Sequence, residues 1–259
     1  MPVPRSPTPA RGQAGFTTDW PYGPLADCGF GNPFFYHMFA DDFDYALGVS
    51  GLYTVSAGGA GTVAHSAGDG GLALFTTAGA SGNYESIQLP AADFTLPQGT
   101  LAGKKLFYIT RLQLSDVTNS AFIAGLTNIT TTPFTAIADG IYFTKASGGT
   151  VLNIVSVVSS TAVTTAVPTS AYTLTNAVNI DLGFYVDWYG NLNVFCSPSM
   201  VGYVPQSGTG ATLPTRGRVL QVTGLTLTTA NLSPTLGVQT GAAAVKTMTV
   251  DFHAAMKER

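Results

Sequence analysis

Residues 30–45 read FGNPFFYHMFADDFDY, and seven aromatic residues, three aspartates and a histidine fall within this stretch. His37 with Asp41, Asp42 and Asp44 is a mixed nitrogen and oxygen donor set, the kind that holds a divalent cation or moves a proton. The spacing fails both chemistries. A calcium loop beginning at Asp42 places Asp44 correctly but needs an oxygen ligand where Ala46 stands, glycine where Leu47 stands and glutamate where Tyr53 stands. A transition-metal site needs a second imidazole or thiolate nearby, and His37 is alone. On an extended chain His37, Phe39, Asp41, Phe43 and Tyr45 share one face, with Met38, Ala40, Asp42 and Asp44 on the other. An aromatic-rich face predicts packing rather than coordination, so no metal site is expected. Phe34, Phe35 and Phe39 are expected to cover a surface of the folded domain or of a neighbouring subunit, while Asp41, Asp42 and Asp44 solvate the junction.

No other stretch supplies a catalytic pattern. Asp181 and Asp187 share a strand face but would lie roughly 20 Å apart at about 3.3 Å per residue. General acid and base partners for glycoside hydrolysis stand about 5 to 9.5 Å apart. Gly59-Gly61-Ala64 and Gly68-Gly70-Ala73 fit G-x-G-x-x-A, yet neither opens a helix after a strand. Gly99 to Lys104 is one residue short of a phosphate-binding loop, and no G-x-S-x-G elbow occurs. His37, His65 and His253 are scattered, and no motif gathers them into a nucleophile triad. No catalytic residue and no cofactor is expected, and the chain reads as non-enzymatic. Asn128-Ile129-Thr130 matches a glycosylation acceptor but reads as a turn. Arg216 and Arg218 are solvated loop charges or partner contacts. Cys28 and Cys196 lack metal-site spacing and read as two buried thiols.

The elements around these residues are strands. Glutamate occurs only at Glu85 and Glu258 and lysine is scarce, whereas Gly, Thr, Val and Ser abound. Expected strands run over 52–57, 71–77, 83–89, 105–114, 121–127, 140–145, 150–158, 161–167, 179–188, 191–197, 218–228 and 246–253. Several alternate cleanly: Leu106, Tyr108, Thr110, Leu112 and Leu114 share one face, and Ile180, Leu182, Phe184 and Val186 another. Ser147-Gly148-Gly149 and Tyr189-Gly190-Asn191 are hairpin connections. The pattern predicts an all-β, antiparallel jelly-roll β-sandwich with an extended N-terminal arm. Three segments are expected: a proline-rich extended arm at 1–15, an aromatic-rich connector at 16–45 and the sandwich at 46–259. Charged residues make up 10% of the chain, far below the usual quarter, so much of the surface is expected to meet other protein. The net charge of −3 gives no footprint for nucleic acid, and no apolar run is long enough to span a membrane or act as a secretory signal.

From about residue 42 to 253 the chain resembles the concanavalin A/laminin-G type of jelly-roll sandwich. The likeness is carried by KKLFYITRLQLSDVTNSAFIAGLTN, DGIYFTKASGGTVLNIVSVV, VNIDLGFYVDWYGNLNVFCSPSMVGYV and the closing KTMTVDFHAA. The variant is similar to those of bacteriophage virion proteins, which are low in charge, free of cofactor and fitted with an N-terminal arm. That resemblance implies a structural virion protein, a capsid decoration or cement protein made in the host cytoplasm and carried on the capsid exterior. Its implied partners are the major capsid protein and neighbouring copies of itself in a homo-oligomer. Contacts would come from Pro4, Arg5, Pro7, Pro9 and Arg11 of the arm and from Phe34, Phe35 and Phe39 of the connector. The alternative is a carbohydrate- or receptor-binding module of a phage head or tail fibre. Trp20, Tyr22, Trp188 and Tyr189 would then stack on a surface glycan.

Overall fold

The computed structural model describes residues 36–44, 49–67, 71–96, 104–170, 172–187, 189–196 and 218–259. Among them are 16 strands and a single 3-10 turn, Val49–Gly51. The expected arm at 1–15 lies outside these residues, as do Trp20, Tyr22, Cys28, Phe34, Phe35, Trp188 and Arg216. No helix among the described residues is long and apolar enough to cross a membrane.

The strands are β1 (Tyr36–Asp41), β2 (Thr54–Ala57), β3 (Thr62–Ser66), β4 (Leu72–Thr76), β5 (Tyr84–Gln88), β6 (Phe94–Thr95), β7 (Leu106–Leu114) and β8 (Ser120–Thr127). They continue as β9 (Gly140–Lys145), β10 (Asn153–Val158), β11 (Thr161–Ala166), β12 (Ile180–Val186), β13 (Leu192–Cys196), β14 (Leu220–Val222), β15 (Asn231–Thr240) and β16 (Thr247–Glu258). They form two antiparallel sheets. One runs β14-β13-β12-β7-β16-β4-β3 with β1 also on β16, and the other runs β11-β10-β9-β8-β15-β5-β2 with β6 also on β15. The expected all-β sandwich is the fold of this chain.

Alternation explains the core. Leu106, Tyr108, Leu112 and Leu114 of β7 and Leu182, Phe184 and Val186 of β12 point inward from the first sheet and are buried. They meet Phe122, Leu126, Phe143, Leu236 and Val238 of the second. The rings of Phe143 and Phe184 touch across the layers at 6.0 Å, and Tyr108 stacks on Phe184 at 5.3 Å. Burying such rings supplies most of the driving force for closing the sandwich.

Both sheets have one long strand that serves two short partners end to end. β16 pairs β4 through Thr247–Val250 and β1 through His253–Glu258. β15 pairs β5 through Thr235–Gln239 and β6 through Asn231–Leu232. β16 passes the joint with a bulge: Val250 opposes Leu112 and Phe252 opposes Arg111, leaving Asp251 as the extra residue. The bulge exchanges the two faces, so Val250 points inward before it and His253 after it.

β15 passes its joint with Pro234. The Pro234 carbonyl accepts a hydrogen bond from Leu89 N, so the missing N–H would have faced the Leu89 carbonyl. The Ser233 hydroxyl donates to that carbonyl instead, at 2.9 Å. Strand β15 is absent from the expected set, and its Pro234 and Gly237 are residue types that weaken strands. Gly237 sits in a tight place: a Cβ there would stand 3.2 Å from the Phe134 ring and 3.0 Å from Ser86 Cβ, so a side chain would make its neighbours give way.

Three other expectations change. The strand foreseen over 218–228 is confined to Leu220–Val222, since Gly224 turns the chain at φ +70°. The closing strand runs past 253 to Glu258. Asp41 does not solvate the junction; it is 5% exposed, because β1 pairs with β16 and turns it inward. Asp42 is half-buried and Asp44 exposed.

Candidate functional site

Asp41, Tyr53 and His253 come together beneath the β16 bulge. Asp41 Oδ1 accepts from Phe43 N at 2.8 Å, its Oδ2 accepts from the Tyr53 hydroxyl, and the Tyr53 oxygen lies 2.6 Å from His253 Nε2. Phe43 takes φ +57° to stack flat on the imidazole, with centroids 5.6 Å apart. Phe39 stands edge-on to the same ring at 5.1 Å, so this residue of the connector set sits half-buried against the sandwich. Carboxylate, phenol and imidazole in series have the parts for proton transfer, but Asp41, Tyr53 and His253 are 5%, 4% and 0% exposed. No substrate reaches them, and the group acts as a polar rivet. Burial drives the His253 pKa down to about 4, against the opposing charge of Asp41, which keeps the imidazole neutral.

The other expected groups are structurally occupied. His37 packs on Phe94 at 4.8 Å. Among the described residues no cluster of His, Cys, Asp or Glu is arranged to hold a metal. Asn128 Oδ1 accepts from Ala138 N and Asp139 N at 2.8 and 3.0 Å, closing the turn read from its sequence. Arg218 donates to Asn193 Oδ1 at 2.8 Å. Cys196 is fully buried, and burial pushes its thiol up to about 12. Of the two glycine patterns, Gly68 and Gly70 lie outside the described residues. Gly58, Gly59 and Gly61 join β2 to β3 and press onto β5, where Cβ atoms would collide with Tyr84, Asn83 and Glu85. That loop covers the Glu85 carboxyl, which burial pushes up to about 7, and it leaves no cradle for a phosphate.

The outward face of β12 and β7 is mostly covered, Asp181 being 7% and Phe107 3% exposed, but the turn at the end of β12 reaches solvent. The turn after that strand is built by Asp187. Its carboxylate accepts from Tyr189 N, Asn191 N and Asn191 Nδ2, each at 2.9 Å, while Gly190 bends the chain at φ +78°. Asp187 thus caps the turn. The fixed turn leaves Tyr189 89% exposed, and this residue of the aromatic set is presented rather than packed. Further along, Tyr185 stacks on Phe107 at 4.5 Å. Arg111, directly opposite Asp181 across the β7–β12 pair, makes a two-pronged contact with that carboxylate at 2.6 and 3.3 Å and reaches Asp251 at 3.3 Å. The guanidinium is held above its ordinary pKa by the hydrogen bond to Asp181, against burial, and lies 5.7 Å from the Phe252 ring.

Of these groups Phe107 and Asp181 are buried and hold their neighbours in place, while Tyr189 offers an aromatic face to a polar ring-shaped ligand. Sequence reading did not find Arg111, Asp181, Tyr185 and Phe107 as a group. The alternation placed Arg111 and Phe107 on one face and Asp181 and Tyr185 on another, but only pairing of β7 with β12 joins them.

The chain matches no protein-family model and no curated protein. Solved structures share its fold across most of its length. A protein of unknown function from Shewanella oneidensis MR-1 is 12% identical with a TM-score of 0.55, over 86% of this chain and 87% of that one. The carbohydrate recognition domain of Emp47p is 9% identical at 0.54, over 88% of this chain and 98% of the domain. An endo-β-1,4-glucuronan lyase from the fungus Trichoderma reesei is 11% identical at 0.53, over 84% and 94%. At these identities the likeness carries the fold alone, and that fold is a lectin-like jelly-roll sandwich.

Proposed function

We propose that this chain is a non-enzymatic recognition module that binds a carbohydrate at the end of the sandwich bearing the Asp187–Asn191 turn. The observation that carries this reading is Tyr189, presented at 89% exposure by a turn whose backbone is locked by Asp187. A rigid aromatic held out in water gains contact area with a sugar face at little ordering cost. The shared fold with a carbohydrate recognition domain supports the reading. So does the burial of the Asp41–Tyr53–His253 group, a constellation among the described residues with the parts for proton transfer.

A glycan array followed by calorimetry tests it. A bound sugar whose affinity falls about tenfold, or ~1.4 kcal/mol, in Tyr189→Ala supports the site. A protein that binds no glycan, or binds equally well without the Tyr189 ring, refutes it.

A second reading is attachment to a virion shell, with the chain as a decoration protein. It is favoured by the 10% charge content and by the alternating prolines of residues 1–15, which restrict the free chain and lower the cost of ordering it on a partner. Full occupancy on purified capsids after removal of residues 1–15 would rule the arm out.

A further inference from the structure

β11 is the outermost strand of its sheet and pairs only with β10 among the described residues. The β10–β11 hairpin turns through Ser159 and Ser160, both at positive φ (48° and 66°), which is the two-residue type I′ connection. Such a turn makes Val158 and Thr161 a hydrogen-bonded pair, so Thr161, Val163 and Thr165 direct their backbone groups to β10. Val167 N, next in that series, donates to Leu152 O at 2.8 Å. The N–H and C=O groups of Ala162, Thr164 and Ala166 therefore face outward along the free edge.

Natural edge strands are guarded by charge, proline, bulges or shortness. β11 has none of these: Thr161–Ala166 is six residues without charge, its register with β10 is unbroken, and Val163 is 50% exposed. The other sheet ends differ. β14 has three residues and β2 four, while β3 carries His65.

We infer that β11 is a self-pairing edge, at which a second copy of this chain adds its own β11 antiparallel across a two-fold axis at Thr164. That register sets Thr164 against Thr164, Ala162 against Ala166 and Val163 against Thr165. All three outward-facing residues of each copy then exchange both of their hydrogen bonds with the partner. No like charges meet across the axis, and small residues face small ones, so the edge is complementary to itself. The proposal is independent of the glycan reading: it joins the second sheets of two copies into one and leaves Tyr189, on the β12–β13 turn of the first sheet, in place.

Sedimentation velocity on the full chain tests it. The wild type is expected at twice the 26.8 kDa chain mass. Thr164→Pro removes an outward N–H that the β10 ladder does not use; it is expected to weaken dimerisation at least tenfold while the circular dichroism is unchanged. Thr164→Lys and Thr164→Glu each place like charges on the axis and are expected to be monomers, whereas their equimolar mixture is a dimer. A monomeric wild type overturns the proposal. So does a dimer that survives the proline and both charge variants, or a mixture of the charge variants that stays monomeric. A foreign strand as the true occupant would show itself by a monomeric wild type.

Discussion

The two long strands solve one problem with different chemistry. β15 and β16 each carry two short partners end to end, and each must pass the joint with a residue that breaks the ladder. In β15 the break is on the backbone, and Ser233 supplies the donor that Pro234 lacks. Beside it, Gln88 is fully used: the two hydrogens of its Nε2 are shared among Thr127 Oγ1, Asn128 O and Thr235 Oγ1, and its Oε1 accepts from Thr130 N at 2.9 Å. That joint is made of neutral groups. In β16 the break is a bulge that turns His253 into the core, where Asp41 and Tyr53 meet it while its Nδ1 is left without a partner. A neutral joint is indifferent to pH; one built on a buried imidazole is not.

The contrast is easiest to break at the bulge. Inserting one alanine between Phe252 and His253 shifts the strand beyond the bulge by one position, turning His253 outward and Ala254 inward. Loss of cooperative thermal unfolding is expected, whereas Pro234→Val, at the other joint, shifts stability by less than about 1 kcal/mol.

The next largest effect is on pH dependence. His253 binds its proton at about 4 when folded and near 6.5 when unfolded. Its contribution is fully present above the unfolded value and is lost as pH falls from 6.5 toward 4. Roughly 3 kcal/mol is at stake, read as a falling melting temperature that His253→Gln flattens. Glu85 has the opposite sign, since its pKa raised to about 7 makes stability decline as pH climbs from the ordinary carboxyl value through 7. Melting curves in a Glu85→Gln background isolate the histidine; a slope below pH 6.5 that persists in the double variant would sink the assignment.

A smaller effect sharpens the other half of the comparison. Ser233→Ala leaves the Leu89 carbonyl without a donor and is expected to cost about 1 to 2 kcal/mol. Pro234→Val restores a backbone N–H at that point, so the double variant should recover most of the loss. Additive losses would mean the serine is not replacing the proline's donor.

The sandwich was legible where its information is local. β7, β9, β12 and β13 alternate without interruption, and short glycine turns follow β9 and β12, so their period and several of their ends stand in the sequence. β15 was hidden because its local residues contradict its place: Pro234 is tolerated only beside Ser233 and Leu89, and Gly237 sits close under Phe134. The Asp41–Tyr53–His253 group was hidden for another reason. An alternation counted from Met248 puts His253 on the wrong face, and no spacing in the chain announces the bulge that corrects it. The aspartates at 41, 42 and 44 read as one group in the sequence, and Asp41 was misplaced because Tyr53 and His253, which draw it inward, are 12 and 212 residues away. On the outward face, Tyr189 could be named from its turn, while Arg111 and Asp181 needed the strand register.

The pairing of β1 with β16 also has a mechanical side. Tyr36 lies opposite Glu258, and Asp41 opposite His253, so the two strands run antiparallel from a shared starting point at the rim. A load applied through Tyr36 and Glu258 would peel them apart one hydrogen bond at a time, the weakest way to pull a ladder. A load applied through Tyr36 and His253, at opposite ends of the ladder, would have to shear all of its hydrogen bonds at once. The sandwich is therefore built to yield where its two ends are tugged together and to hold where the pull runs along the strand, with the Asp41–Tyr53–His253 rivet as the last tooth of the zip.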